Sequence, residues 1–496
     1  MNNPLQPKDE QLFTLTCDIM QDAIAYMERR TAAGRYIPKH DDWPSLSWTD
    51  DGMPDFSFAE SNLPNYTDSF GLGLFEAFSE TKEGIKGETY KWDEKPAFQA
   101  LLDYVESEPQ IHKHFFPISD AGNGRGKLGF FKSSVEVFIS SLTEGYVHRF
   151  GFTFDRGKFL QVYLPRENAL VEDQLAIEIW VPILHLAFGA DEIELTPDVS
   201  VSRMPEDFQL ARARLFRGSE EIQHGIVQAA THALILKDYT LPNLGYLTKF
   251  GSFLSPSSPI LEIINTFFAA LRMLMEAKTG YGQILVVPIG WAGSYVASLP
   301  DLEGVALRRY PADLGGELDR AIPALSLEQL SAVGVLFSKI LKLQERSAGH
   351  RMQLAIRRLN NCFLREDAED AILDATIAME LLLSDGDTQE ITHKLALRMA
   401  ALSSTVPDYK HEPAAVFKNV KALYRFRSAV VQGNQEKAKE AREIKLDDGT
   451  IIPTIKLATD YLGMAVRAIA QQPEYFTPHN IDEKLLLKFI PPPEFE

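Results

Sequence analysis

The residue types best suited to chemistry in this sequence gather in one segment, KALYRFRSAVVQGN, from Lys421 to Asn434. Its apolar residues recur at helical spacing, which predicts a helix over residues 413–432. That helix carries four cations: Lys418, Lys421, Arg425 and Arg427. No carboxylate lies between Pro413 and the last of them. A helix face of this kind can hold an anionic group.

A structural role for the same cations competes with a binding role. Cations in the last turns of a helix complement its dipole. Arg427 can also form an ion pair with a core carboxylate such as Glu380. Against this, a wholly cationic helix is unusual in a chain whose net charge is −19. The segment alone leaves both explanations open.

Motifs typical of nucleotide, metal or hydrolase sites do not occur: there is no Walker loop, GxGxxG, HExxH or GxSxG. The glycines of DAGNGRGKLG, from Asp120 to Gly129, are misplaced for a P-loop and favour a glycine-rich turn. His112 and His114 would share one face of a strand but lack a third ligand. His224 and His232 are eight residues apart on one predicted helix, too far for a shared ion. We therefore predict no metal and no cofactor.

Length and composition limit the possible classes of protein. A chain of 496 residues should form two or three domains. The net charge of −19 argues against broad, non-specific binding to nucleic acid or to an anionic membrane. Cys17 and Cys362 have no spaced partners, so neither a disulfide framework nor a zinc site is expected. No signal peptide and no apolar run of about 20 residues is visible, so we expect a cytoplasmic protein without membrane contact.

Residues 1–325 are predicted to form a mixed α/β region with a mostly antiparallel sheet. Helices are predicted over residues 8–30 and in PAFQALLDYVESEP, separated by a loop-rich tract that contains Trp43, Trp48 and Phe56. The predicted strands are YVHRFGFTFD, FLQVYLPRE, LAIEIWVPIL, DEIELTPDVSVSRM and GQILVVPIG. The two helices predicted before the last strand are SEEIQHGIVQAATHALILK and PILEIINTFFAALRMLMEAKTG. The tract's aromatics can cover the core or serve a binding surface.

Residues 326–475 are predicted to form an all-α domain, which makes the fold class α+β. Ser326 and Gln329 form a capping-box pattern at its start. Helices are predicted near residues 327–346, 350–364, 367–384, 388–403, 413–432 and 453–471. We expect residues 476–496 to be an exposed tail.

Two adjacent stretches of this domain, DAILDATIAMELLLSDGDTQEITHKLALRMAALS and VFKNVKALYRFRSAVVQGN, resemble the ApeA-like branch of the HEPN family. In that branch the signature typically reads Tyr-x-x-Arg-Ser-x-x-Val-His-Gly. The matching residues here are Tyr424, Arg427, Ser428, Val431 and Gly433. The resemblance covers residues 365–434, and a looser likeness extends to IVQAATHALILKDYTLPN in the N-terminal region. It implies a helical domain that pairs as a homodimer, in which two Arg–His motifs form one metal-independent RNase site.

One departure from the family pattern bears on activity, because Gln432 stands where the family has histidine. The resemblance assigns Arg427 and Gln432 to the catalytic positions. It places the remaining candidate binding residues beside them: Tyr424, Ser428, Arg425 and Lys421. In the family, histidine assists proton transfer around the attacking 2′-hydroxyl and arginine holds the phosphate. Glutamine cannot take up a proton near neutral pH, so cleavage should be reduced or lost.

Three functional hypotheses follow from this departure. In the first, the protein binds RNA or a nucleotide weakly, or acts as an inactive partner. In the second, it still cleaves with another base, such as His393 or His411. In the third, Arg427 only stabilises the dimer or the core, and the protein is an interaction scaffold. The resemblance also implies prokaryotic antiphage defence, with an unknown ligand or protein sensed by the N-terminal region. Exposure of Arg427 and Gln432 in a positive cleft at a two-fold interface would favour RNA, and burial and pairing of both inside one subunit would oppose it.

Overall fold

The computed structural model describes residues 6–41, 43–59, 62–70, 90–115, 124–245, 248, 258–275, 277–317, 322–386, 390–407 and 409–487. Antiparallel strands lie in the N-terminal half and the C-terminal half is helical, so the predicted mixed α+β class is confirmed. Within these ranges no helix has the length and apolar character that crossing a membrane requires.

The N-terminal region begins with a group of helices around an aromatic core. They are α1 (Glu10–Ala32), α2 (Pro96–Ser107), α3 (Pro109–His112), α4 (Gly124–Phe150) and α5 (Arg156–Val171). Asp9 caps α1 by accepting a hydrogen bond from the Leu12 amide at 2.8 Å. Phe13 of α1 packs on Phe159 and Tyr163 of α5. The predicted helices at residues 8–30 and in PAFQALLDYVESEP are confirmed.

The aromatic tract between α1 and α2 contains an antiparallel hairpin that we did not predict. Its strands are β1 (Trp43–Trp48) and β2 (Pro54–Ala59). Phe56 is buried, Trp43 is half-buried and Trp48 is 42% exposed, so covering the core accounts for most of these rings.

Two predicted strands, YVHRFGFTFD and FLQVYLPRE, are wrong, because these residues belong to the end of α4, the following turn and α5. Their aromatic and β-branched composition favours a strand locally. Burial follows a helical period instead, since Phe159, Val162, Tyr163 and Leu170 of α5 all face the core of this group. Tertiary packing has overridden local propensity here.

A six-stranded antiparallel sheet follows. Its strands are β3 (Gln174–Pro182), β5 (Glu192–Thr196), β6 (Val199–Arg203), β7 (His232–Pro242), β8 (Tyr281–Pro288) and β9 (Glu303–Arg309), in the order β5-β6-β7-β3-β8-β9. The short strands β4 (Ala187–Phe188) and β10 (Ala324–Leu325) pair in parallel beside it. The strands predicted in LAIEIWVPIL, DEIELTPDVSVSRM and GQILVVPIG are confirmed.

The helix predicted in SEEIQHGIVQAATHALILK is wrong. Only α7 (His224–Gln228) is helical, and the apolar run after it forms β7, so His224 and His232 do not share a helix. A central strand buried on both faces reads as a continuous apolar run, which periodicity cannot separate from a buried helix.

The sheet is covered on both faces. The helix α6 (Glu206–Leu215) and α7 pack on one face, and α8 (Pro259–Met275), which confirms the helix predicted in PILEIINTFFAALRMLMEAKTG, packs on the other. Along β3, Leu175, Ile177, Ile179 and Val181 alternate toward the α8 side. This alternation is the period of two expected for a strand.

The C-terminal region contains the helices α9 (Leu327–Gln344), α10 (Gly349–Leu364), α11 (Ala368–Leu383), α12 (Ile391–Ser403), α13 (Pro413–Val431), α14 (Gln435–Glu440), α15 (Thr454–Gln471) and α16 (Pro478–Ile481). A small hairpin of β11 (Glu443–Lys445) and β12 (Ile451–Pro453) precedes α15. All six predicted helices are confirmed. The capping box is present, with the Gln329 amide donating to Ser326 Oγ at 3.2 Å and the Ser326 amide donating to Gln329 Oε1 at 2.9 Å.

The predicted exposed tail is wrong for its first part. Ile481 is fully buried, and Asp482 accepts hydrogen bonds from Arg398 at 2.8 and 2.6 Å. A buried arginine needs carboxylate partners, and this one draws the C-terminal segment onto α12. The end of the predicted tail, FIPPPEFE, lies outside the described residues.

One hydrophobic core runs from the sheet into the helical region. It contains Ile177 of β3, Phe267 of α8, Phe337 of α9 and Tyr461 of α15, each almost fully buried. The predicted boundary at residue 325 therefore lies over an interior that the two regions share.

Candidate functional site

The helix α13 ends in a turn that fixes the position of Gln432. Gly433 adopts a φ of +65°, its amide donates to the Val430 carbonyl at 3.0 Å, and the Asn434 amide donates to the Ala429 carbonyl at 2.9 Å. These are the two bonds of a Schellman motif, which favours glycine at the left-handed position. Gln432 is therefore the C-terminal cap of α13.

The apolar residues whose spacing predicted α13 form a stripe that faces the core. Val416, Val420, Leu423 and Phe426 are fully buried and Val430 is half-buried. The candidate residues lie on the remainder of the helix in two groups, with Lys421 apart from both.

Tyr424 and Arg427 face α11, where both contact Glu380. Tyr424 Oη donates to Glu380 Oε1 at 3.3 Å, and Arg427 Nη2 lies 3.6 Å from the same oxygen. The guanidinium is also 5.8 Å from the centroid of the Tyr424 ring. Burial and the neighbouring Glu380 raise the pKa of Tyr424, so this phenol is neutral. The ion pair between Arg427 and Glu380 that the structural explanation expects is present.

Arg427 keeps part of its bonding capacity. Its side chain is 36% exposed, although its Nε is buried and has no hydrogen-bond partner among the described residues. A separation of 3.6 Å is longer than a good charge-assisted hydrogen bond. Glu380 therefore positions the guanidinium but does not use all of its N–H donors.

Arg425, Ser428 and Gln432 face another side of α13, where they line a cavity of about 640 Å³. Gln432 Nε2 donates to Ser428 Oγ at 3.3 Å, one helical turn back. The cavity is closed by α14 and β11, which contribute Lys437 and Lys445. Arg427 does not line it, so the structure separates the two residues at the catalytic positions onto different sides of the helix.

The cavity is cationic. Four cations line it, Lys418, Arg425, Lys437 and Lys445, against two carboxylates, Glu440 and Glu443. Lys418 also pairs with Asp447 at 2.6 Å, in an exposed contact that solvent screens. In a chain of net charge −19, an excess of cations beside Gln432 marks this as the part of α13 best suited to an anion.

The other candidates on the helical region lie apart from Gln432. Lys421 packs over the Phe417 ring at 4.5 Å, and His393 packs on the edge of the same ring. Phe417 precedes Arg427 by ten residues, about 15 Å along the helix axis. His411 contacts the Tyr461 ring, and burial lowers its pKa. Neither histidine is placed as a replacement base for Gln432 within one chain.

The candidate residues of the N-terminal region do not come together in one site either. His112 ends α3 and packs on Phe131, while His114 lies in the turn after it, so the two do not share a strand face. Burial lowers the pKa of His114 to about 4. Residues 120–123 of the glycine-rich segment lie outside the described residues, and its later part begins α4.

A second cavity, of about 820 Å³, lies where α8 meets α10 and α15. Its cations are Arg272, Lys278, Arg365, Lys410, Lys456 and Arg467, against Asp313, Glu366 and Asp460. Tyr409 Oη and Arg467 Nε are buried there without a hydrogen-bond partner among the described residues. The sequence does not reveal this site, because its lining comes from segments far apart in the chain.

Comparisons with protein-family models, with curated proteins and with solved structures found no match to this chain.

Proposed function

We propose that this protein is a HEPN-type RNA-binding protein with reduced or lost cleavage. The observation that carries the proposal is the cationic cavity beside Gln432, the residue that replaces the expected histidine. Phosphate groups are the polyanion that lysine and arginine clusters bind most readily. The resemblance of residues 365–434 to the HEPN family is the reason to propose RNA as this polyanion.

Gln432 retains binding chemistry without acid–base chemistry. Its amide can donate and accept hydrogen bonds at the end of α13, but it cannot accept a proton near neutral pH. Loss of a general acid–base group typically lowers a rate by about 10²- to 10⁴-fold. Ser428, bonded to Gln432, and Arg425 supply further polar contacts in the same cavity.

Arg427 would bind phosphate from the neighbouring side of the helix. Its planar fork can bond two phosphate oxygens at once, and its side chain is 36% exposed. Tyr424 and Glu380 hold the guanidinium in place from beneath. RNA contacting both Arg427 and the cavity would wrap around the end of α13.

A homodimer is part of this proposal. The resemblance implies that two motif helices face each other, and Val431, next to Gln432, is 66% exposed. An apolar side chain at that position would be covered by a partner subunit. On the same resemblance, we extend the proposal to a cytoplasmic location, a role in prokaryotic antiphage defence and a trigger bound by the N-terminal region.

The test uses two lysines on α14 that differ in whether they line the cavity. Lys437 lines it, whereas Lys439 is exposed two residues further along the same helix and does not. We expect Lys437→Glu to weaken binding of a labelled single-stranded RNA by about tenfold, or about 1.4 kcal/mol. Lys439→Glu makes the same charge change and should leave affinity within about twofold. Equal effects of both variants, or no RNA binding by the unmodified protein, would refute the proposal.

An interaction scaffold is the second candidate, and the contact of Arg427 with Glu380 and Tyr424 inside one chain favours it. On this hypothesis Arg427→Ala leaves RNA affinity unchanged and weakens the dimer or the fold. The cavity of about 820 Å³ then offers a place for a small anionic ligand. Thermal-shift measurements with nucleotides and sugar phosphates, repeated on Lys456→Glu, test whether that cavity is occupied.

A further inference from the structure

Two histidines and one glutamate form a buried cluster in the N-terminal region, on residues that the proposed RNA site does not use. His40 Nε2 lies 2.8 Å and His148 Nε2 lies 3.0 Å from Glu144 Oε1. Each of the three residues offers one ligand atom within 4.8 Å of the ligand atoms of the other two. Glu144 is fully buried, and the side chains of His40 and His148 are 7% and 10% exposed.

Two separate elements bring the three side chains together. Glu144 and His148 are four residues apart on α4 and therefore project from the same helix face. His40 lies between α1 and β1, next to Lys39, whose backbone bridges to Pro64. The cluster thus joins the segment around the β1–β2 hairpin to α4. We missed it in the sequence because YVHRFGFTFD was interpreted as a strand, which hides the four-residue spacing.

The backbone orients the carboxylate toward the imidazoles. Glu144 Oε2 accepts hydrogen bonds from the amides of Tyr66 and Thr67 at 2.6 and 3.1 Å. Oε1 is left facing both histidines, with a longer contact of 3.2 Å from the Ala297 amide. Contacts that fix the outer oxygen of a ligand in this way are typical of metal sites.

The Glu144 carboxylate accepts backbone hydrogen bonds on Oε2 and presents Oε1 to the two imidazoles. A buried carboxylate beside two imidazoles is a suitable partner for a cation. The three groups offer one oxygen and two nitrogen ligand atoms.

We propose that His40, Glu144 and His148 bind one divalent transition-metal ion of the zinc class. Two imidazoles and a carboxylate form a donor set that Zn²⁺ uses, whereas Mg²⁺ and Ca²⁺ prefer oxygen ligands alone. In a tetrahedral zinc site the ligand atoms lie about 3.3 Å apart. The separations of 2.8 and 3.0 Å therefore need to widen by only about 0.5 Å to admit the ion.

The proposed ion would tie the segment around His40 to α4. His148 Nε2 donates a hydrogen bond of 3.0 Å to the Pro64 carbonyl oxygen, a contact that the ion would replace. In the alternative, no ion is bound and each imidazole donates a hydrogen bond to the carboxylate. The two possibilities differ in whether the intact protein takes up metal.

The first measurement uses the unmodified full chain. After dialysis against a chelator, the protein is given one equivalent of ZnCl₂ or CoCl₂, and bound metal is counted by elemental analysis after gel filtration. We expect one Zn²⁺ per chain, a rise of several degrees in melting temperature, and visible Co²⁺ absorption typical of a four-coordinate site. Less than about 0.2 metal ions per chain would overturn the proposal. Only hydrogen bonds would then join the three residues.

The second measurement assigns the ligands. His148→Gln should lower Zn²⁺ affinity at least tenfold and abolish the Co²⁺ absorption. The matched control is His479→Gln, because His479 pairs with Glu483 at the same four-residue spacing but is 71% exposed. Equal metal affinity in both variants would overturn the assignment. If His148→Gln does not fold, His40→Gln and the metal count of the unmodified chain still decide the question.

Discussion

Gln432 Nε2 donates a hydrogen bond of 3.3 Å to Ser428 Oγ, so the residue that replaces the expected histidine has an intrahelical partner. The bond spans one turn of α13 and directs the amide along the wall of the cationic cavity. An imidazole built at this capping position would meet the same hydroxyl and the same solvent. The scaffold around Gln432 is therefore compatible with histidine.

Replacing Gln432 by histidine is predicted to create RNA cleavage. An imidazole titrates near neutral pH and can move a proton, which the amide cannot. We expect a gain of about 10²- to 10⁴-fold over the unmodified protein on labelled RNA in the presence of EDTA. Gln432→Asn keeps the amide chemistry and should remain inactive. Intact RNA binding by Gln432→His without cleavage would contradict this prediction.

Removing the carboxylate of Glu380 is predicted to strengthen RNA binding. In Glu380→Gln the Arg427 guanidinium loses its anionic partner and becomes available to phosphate. Stability should change by less than about 1 kcal/mol, because both side chains are partly exposed. Glu369→Gln is the control, since it removes the same charge from α11 at a residue paired with Arg442 instead. Equal RNA affinities in the two variants would remove Arg427 from the binding site.

Asp482→Ala is predicted to lower the free energy of unfolding by about 2 kcal/mol, because it leaves the buried Arg398 with one carboxylate partner fewer. The adjacent variant Glu483→Ala removes only the exposed pair with His479 and should cost less than about 0.5 kcal/mol. Chemical denaturation of both variants measures the difference. Similar values would show that the C-terminal segment does not stabilise α12.

His232 is predicted to make the protein less stable as the pH falls below about 6.5. Burial lowers the pKa of His232 to about 4, and the neutral ring accepts from Thr231 Oγ1 and donates to the Ala190 carbonyl. Because the unfolded state then binds more protons, stability is complete above the unfolded pKa and is lost between about 6.5 and 4. From pH 7 to pH 5 this one group should cost about 2 kcal/mol.

The contribution of His232 is isolated by substitution. In His232→Gln, the loss of stability between pH 7 and pH 5 should be smaller by that amount than in the unmodified chain. His479→Gln, at an exposed position, should behave like the unmodified chain. An unchanged pH dependence in His232→Gln would show that the ring is already charged in the folded protein.

The helical region could be predicted from sequence because its signals are local. Helical spacing, the Ser326 capping box and the glycine after Gln432 each mark an element within a few residues. The same holds for β3 and β8. The errors at α4, α5 and β7 arise where long-range packing decides, since aromatic or uniformly apolar runs suit either structure.

The candidate site was predictable only in part. Arg427 and its partner Glu380 were both identified from the sequence, and they meet in the structure. The separation of Arg427 from the Gln432 cavity was not identified, because it depends on where α14 and β11 pack. The cluster at Glu144 was missed for a related reason, as His40 reaches it from more than 100 residues away.

The shared interior beneath residue 326 determines how this chain can be dissected. Leu325 and Leu330 flank that point and are both buried in the core that unites β3 with α15. Cutting the chain there would expose a large apolar surface on each fragment. Neither half is then a faithful substitute for the whole, and binding studies require the uncut polypeptide.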